Sequence, residues 1–287
     1  MATTFSRRNV LKAASGAGAI LGATRLGSGA ALAQAQSTGP AQDMFYREDY
    51  FGEPWRKPEA AILIHGNDES STVWYGWMPA MAKEFRVIRP DMPGFGLSKV
   101  PPGFEWSLSN LAAYLARVMD KAGVQAAHIV GAKTGGAIAM QFAADFPART
   151  LTLSIASGPA SVIQVTNPSP IPQHDRLGTS VSKDMIEYWN MLFSTAPEEG
   201  TAGFRTALSK FDLERDGVLQ RIKSPSLIIT ADKSALQSVE KVRKYQMAIP
   251  NSRLAVLHSD AYHIAAANAE ECAATVLAFI KETKRRG

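Results

Sequence analysis

The chain has 287 residues, 46% of them hydrophobic, enough for one α/β domain with an insertion to bury a sizeable core. The formal charge of +5 does not point to nucleic acid: Arg7, Arg8, Lys12 and Arg25 lie in the first 33 residues, where there is no acid, and account for all but one of the excess charges. A single cysteine, Cys272 in the apolar "CAATVLAFI", excludes an internal disulfide framework and reads as a core residue.

Residues 1–33 read as a targeting segment. "SRRNVLK" sets paired arginines ahead of an Ala/Gly-rich run, and "ALA" at 31–33 offers small residues for cleavage. The pattern resembles a twin-arginine export signal, which implies the twin-arginine export machinery as a partner and a periplasmic or secreted mature protein. The run is broken by Arg25 and is too weakly apolar to hold a stable membrane span. Substrates of that route generally cross already folded, so a chain without disulfides suits it.

Residues 34–44 have the composition of a linker. "AAILIHG" is an apolar run ended by glycine and predicts a buried strand. "FRVIRPDMPGFGLS" predicts a second strand with a Pro/Gly-rich loop after it. "SLSNLAAYLARVMDKAG" repeats its apolar residues at helical spacing and closes on glycine. "AAHIVGA", "GGAIAMQFAADFP" and "RTLTLSIASG" follow as strand, helix and strand. "SPSLIITAD" and "SRLAVLHSD" are two further strands around the helical "SVEKVRKYQMAI", and "AEECAATVLAFIKETKRR" is a closing amphipathic helix, its cationic end suited to the helix dipole. This alternation predicts a mostly parallel central sheet flanked by helices. Residues 161–221 break the rhythm: "NPSPIP" leads into "KDMIEYWNMLF" and "TAGFRTALSKF", read as a helical cap inserted after the sixth strand. The core is then 45–160 and 222–287. The cap aromatics Tyr188, Trp189, Phe193 and Phe204 suit either a pocket wall or a core.

The stretch "HIVGAKTGGAIAMQFA" joins strand, tight turn and helix around Lys133. A phosphate-binding P-loop is excluded, because its glycines would fall on Ala127 and Ala132. With "HGN" after the first apolar strand and "DMPGFGLS" after the second, Gly131, Gly135 and Gly136 make the chain from about Phe45 onward resemble the α/β-hydrolase fold, of the small esterase, enol-lactonase and C–C hydrolase type. The resemblance implies a strained elbow presenting a serine nucleophile. Here Lys133 stands in its place.

Carried over by register, the catalytic acid falls on Ser234 in "TADKSAL" and the base on Tyr262 in "DAYHIAAANAEE", with His263 one place later. A register slip that makes His263 the base stays open. No hydroxyl nucleophile is then paired with an imidazole, so ordinary serine hydrolysis is not expected. The helix N-terminus and burial both disfavour an ammonium ion at Lys133, and a neutral amine is a nucleophile or base. Tyr262 would shuttle protons, and Ser234 would orient its phenol. The resemblance implies an oxyanion hole from the backbone N–H groups of Asn67 and Thr134, with His65 and Gly66 shaping the loop. Trp74, Trp77, Trp189 and His263 are further pocket candidates. Asp91 and His65 read as structural, and His128 as satisfied or exposed at the start of its strand.

"HSDAYH" lacks a further ligand at a recognisable spacing, so no metal is expected, nor any other cofactor. The resulting expectation is an exported enzyme acting on a small carbonyl compound (a lactone, a diketone or an aldol-type C–C bond) through Lys133 as Schiff-base nucleophile or general base. The alternative is a non-catalytic protein that binds a hydrophobic ligand in the same pocket. Its partners would be a small-molecule substrate or ligand and the export machinery.

Overall fold

The six apolar runs become six parallel strands of a seven-stranded sheet in a computed structural model that describes residues 44–162, 172 and 174–286. The expected signal segment and nearly all of the expected linker lie outside the described residues, as does most of "NPSPIP". The strands are β1 (Tyr46–Asp49), β2 (Ala60–Ile64), β3 (Arg86–Pro90), β4 (Ala127–Ala132), β5 (Thr150–Ala156), β6 (Ser226–Ala231) and β7 (Ser252–Leu257). Their order across the sheet is β1-β3-β2-β4-β5-β6-β7, with only β1 antiparallel to its neighbour. β2 and β4 are buried at every position, as strands covered on both faces must be.

The helices are α1 (Met78–Met81), α2 (Leu108–Lys121), α3 (Thr134–Asp145), α4 (Lys183–Ser194), α5 (Glu198–Leu208), α6 (Val218–Arg221), α7 (Val239–Met247), α8 (Ile264–Ala267) and α9 (Ala269–Arg286). Ser107, Ser182 and Ser238 start α2, α4 and α7 by accepting a backbone N–H three residues on, which satisfies a donor that the helix leaves orphaned. Apolar side chains form two buried clusters, one holding Leu111, Tyr114, Ile138 and Phe142 from α2 and α3, the other Trp77, Met81, Phe279 and Ile280 from the α1 and α9 side. Cys272 belongs to the second. Among the described residues no helix is long and apolar enough to cross a membrane.

Two features position the site. β2 lies between β3 and β4, so the strand order turns there, and α/β sheets leave a crevice beyond the strand ends at such a point. The register Ile64↔Gly131 brings the chain leaving β2 beside the chain leaving β4. The α4–α5 insertion leaves the sheet after β5, the fifth strand of the chain rather than a sixth, and returns to it at β6. It rests on the core by close backbone approach of Gly200 to Gly94 and by the Phe95–Phe204 ring contact at 4.9 Å. At its other end Arg176 O accepts both Tyr262 N–H (2.9 Å) and His263 N–H (3.0 Å).

Candidate active site

Lys133 sits between β4 and α3 at φ 50°, ψ −128°, a backbone conformation that costs a non-glycine residue about 1–3 kcal/mol and persists only where its surroundings enforce it. The enforcement is visible. Lys133 N–H donates to Ala156 O at 3.1 Å, and Gly136 N–H donates to Lys133 O at 2.9 Å. Gly135 lets α3 start hard against β2, since a Cβ there would lie 2.3 Å from Ile64 O and 2.4 Å from His65 O. The turn is the nucleophile elbow, with an amine on it.

The amine has a partner that sequence reading missed. Lys133 Nζ lies 2.5 Å from Glu69 Oε1, and His263 Nε2 donates to the same oxygen at 2.7 Å. Gly66 N–H donates to the other oxygen, Oε2, at 2.9 Å. The Glu69 side chain is fully buried, and Lys133 and His263 are nearly so. Burial pushes the Glu69 carboxyl up, but the charge of Lys133 and the hydrogen bonds donated by Lys133 and His263 outweigh it and hold the group well below the usual carboxylate range. Burial is the main cause of a lowered His263 value, so the ring is neutral, with its proton on Nε2 facing Glu69. Lys133 is therefore not the unaccompanied buried amine that the sequence suggests, since Glu69 balances its charge.

Glu69 arrives by a local turn. Asp68 takes up φ 62°, which Asp tolerates better than most residues, and this turns the next side chain inward. Asp68 is tied by Thr201 Oγ1 of the cap (2.8 Å) and by Asn67 Nδ2 (3.1 Å). His65 is structural, as read: its Nε2 accepts Met92 N–H at 2.9 Å, and its Nδ1–H donates to Gly66 O at 2.7 Å. Asp91 accepts N–H groups of Ser71 and Leu97, and His128 is buried between Thr152 and Glu59. A Cβ on Gly66 would lie 3.0 Å from Lys133 Cβ, so the loop needs glycine to lie this close to the elbow.

A cavity of about 320 Å³ opens beside the elbow, lined by residues that include Asn67, Lys133, Thr134, Arg176, Phe211 and Tyr262. Tyr262 thus shares a cavity with Lys133, its phenol pushed up in proton affinity mainly by burial. Ser234 makes no bond to Tyr262; among the described residues its buried Oγ has no hydrogen-bond partner. Asp232, two residues earlier, accepts from His258 Nδ1 at 2.7 Å at the surface. Asn67 N–H donates to Thr134 Oγ1 at 2.7 Å, so one of the two expected oxyanion donors is engaged within the protein. Trp74 and Trp77 are buried in the core, where Trp77 Nε1–H reaches Ala265 O, and neither lines this cavity. Trp189 packs edge-on against the His263 ring at 4.6 Å, and the Lys133 amine lies 6.0 Å from Trp189 and 5.4 Å from Phe193.

Residues 61–184 match the family described as the alpha/beta hydrolase fold. The chain has the α/β-hydrolase fold. An enol-lactonase from Burkholderia xenovorans superposes with a TM-score of 0.70 at 22% identity, covering 83% of this chain and 96% of that one. A 2-hydroxy-6-oxo-2,4-heptadienoate hydrolase from Pseudomonas putida is 32% identical over 109 residues, 37% of this chain, and the match spans only 40% of that protein's length. A poly(3-hydroxyalkanoate) depolymerase from Ectopseudomonas oleovorans is 23% identical over 258 residues, covering 82% of this chain and 88% of that protein.

Proposed function

We propose that the protein is a hydrolase-type enzyme acting on a small carbonyl compound, with Lys133 as the reacting group and Glu69 as the carboxylate that holds it in place. The observation that carries this reading is the buried Lys133–Glu69–His263 cluster on a strained elbow at the edge of a cavity. A decayed site has no need for a charge-balanced amine at the elbow, because a buried ion pair costs desolvation that an apolar pair avoids. The names of the relatives (an enol-lactonase, a 2-hydroxy-6-oxo-2,4-heptadienoate hydrolase and a poly(3-hydroxyalkanoate) depolymerase) all refer to compounds that carry a carbonyl group.

The chemistry follows from the resting charges. Lys133 gives a proton to water in the cavity, and the neutral amine adds to the substrate's carbonyl carbon. The carbonyl oxygen takes one proton from Tyr262 and a second from the added nitrogen and leaves as water, giving a protonated imine. That imine accepts the electron pair of the Cα–Cβ bond as the β-hydroxyl returns a proton to the Tyr262 phenolate and the β-carbon leaves as a carbonyl compound. The enamine left on Lys133 is protonated, and water then releases the amine. In lactone cleavage the same deprotonated amine acts as general base, drawing a proton from a water that attacks the carbonyl carbon, and the resulting ammonium returns that proton to the ring oxygen as the C–O bond breaks. Ser234, without a bond to Tyr262, takes no step. The twin-arginine-like N-terminus supports action outside the cytoplasm, on small molecules and with no cofactor in these steps.

The alternative, a non-catalytic protein that captures a hydrophobic ligand, is favoured by the engaged Asn67 N–H and the internally neutralised amine. Turnover of a panel of small lactones, β-diketones and aldols by the mature protein separates the two. The enzyme reading expects turnover that Lys133→Met abolishes. Ligand-induced thermal stabilisation without turnover in any member supports the binding reading.

A further inference from the structure

Resting on that reading, we infer that the Thr134 hydroxyl is a catalytic donor to the substrate's carbonyl oxygen, standing in for the Asn67 amide. Thr134 opens α3, so its own N–H is one of the donors a helix leaves without an intrahelical acceptor. Its Oγ1 accepts Asn67 N–H at 2.7 Å, a short bond for an N–H donor, and so blocks the amide that would otherwise face a bound oxygen. A hydroxyl has one proton to give and two lone pairs to accept with. One lone pair is taken by Asn67, and among the described residues the proton has no acceptor. Thr134 is half-buried and lines the same cavity as Lys133 and Tyr262.

The donor set is therefore a relay. Asn67 N–H polarises the Thr134 hydroxyl, the hydroxyl donates to the carbonyl oxygen, and the Thr134 amide lies beside it on the same residue. Chained hydrogen bonds strengthen one another in a site shielded from water. The position selects for threonine or serine: an apolar side chain there reopens the Asn67 amide but removes the hydroxyl.

The test uses Thr134→Val, which keeps the β-branched shape, and Thr134→Ser, which keeps the hydroxyl. The probe is 2,4-pentanedione, whose condensation with an amine adds the dione to the protein and releases one water. Adduct formation followed by intact mass is expected to slow about 10- to 100-fold in Thr134→Val, near the lower range for losing one oxyanion donor, and to stay within about threefold in Thr134→Ser. An unchanged or faster rate in Thr134→Val would show that the freed Asn67 amide is the working donor and would overturn the assignment. If the wild-type chain forms no adduct, Lys133 is not the reacting amine, and the non-covalent affinity for the same dione by calorimetry decides on Thr134 separately. Weaker binding by Thr134→Val than by wild type and Thr134→Ser supports the donor. Equal or tighter binding, or no binding by any of the three, overturns it.

Discussion

Lys133 and Glu69 are separated by 64 residues and meet at 2.5 Å because β2 and β4 are neighbours in register and their chains leave the sheet side by side. Each residue alone would be a buried charge. Together they form an ion pair whose carboxylate also holds His263.

Removing the carboxylate strands the amine. Glu69→Gln is expected to cost about 3–5 kcal/mol, the range for breaking a buried pair on one side. Glu69→Leu combined with Lys133→Met is expected to recover most of it, because an apolar pair needs no charge compensation. Urea unfolding of the single and double variants measures both. A double variant as unstable as the sum of its parts would show that the two side chains do not act as a pair.

Acid should unfold the protein through this cluster. Glu69 titrates lower in the folded chain than in the unfolded one, so its contribution is complete above about pH 4.3 and is lost as the pH falls below that value. His263 is also lowered, so the unfolded chain takes up that proton first, and stability declines as the pH drops through about 6.5. Thermal melts from pH 8 to pH 4 are expected to show a falling midpoint, with a smaller slope below about pH 6.5 in His263→Gln. An unchanged slope would remove His263 from the account.

Gly135 is a packing requirement. Its missing Cβ leaves room for Ile64 O and His65 O, both backbone atoms that cannot swing aside. Gly135→Ala should cost about 1–3 kcal/mol or more by overpacking and should move the elbow. Thermal unfolding that matches wild type would mean that the contact relaxes freely.

Most of the fold was legible because strands buried on both faces must be apolar runs, and "AAILI", "AHIVGA" and "SLIITA" are. The first strand was not: "YRED" sits at the sheet edge, half exposed, and carries no apolar signature. The elbow was legible from its three glycines. Glu69 was not, since "HGNDESS" with its two adjacent acids has the composition of a solvated loop, and what buries Glu69 is a φ at Asp68 and a strand register. A signal was nonetheless present: a lysine in a buried elbow needs an anion, and the loop that approaches it holds Asp68 and Glu69. Counting along "DAYHIAAANAEE" put Tyr262 in the seat facing the elbow, whereas in the structure both neighbours reach the site, Tyr262 by the cavity and His263 through Glu69.

Tyr262 is expected to matter to the reaction more than to the fold. Tyr262→Phe keeps the ring and removes only the phenol, so its stability should stay within about 1.5 kcal/mol of wild type. Turnover should fall about 10²-fold or more, the range for losing a positioned acid. Denaturation and steady-state kinetics on one preparation separate the two. Full turnover in Tyr262→Phe would leave the proton transfer to another group.

On this reading Lys133 is an amine that small carbonyl compounds can reach. Incubation of the mature protein with small aldehydes, ketones and diketones in the presence of borohydride, followed by peptide mapping, tests it most directly. The expected result is one reduced adduct on Lys133, absent from Lys133→Met. An unmodified Lys133, in a protein whose cavity still takes up the same compounds, would contradict it.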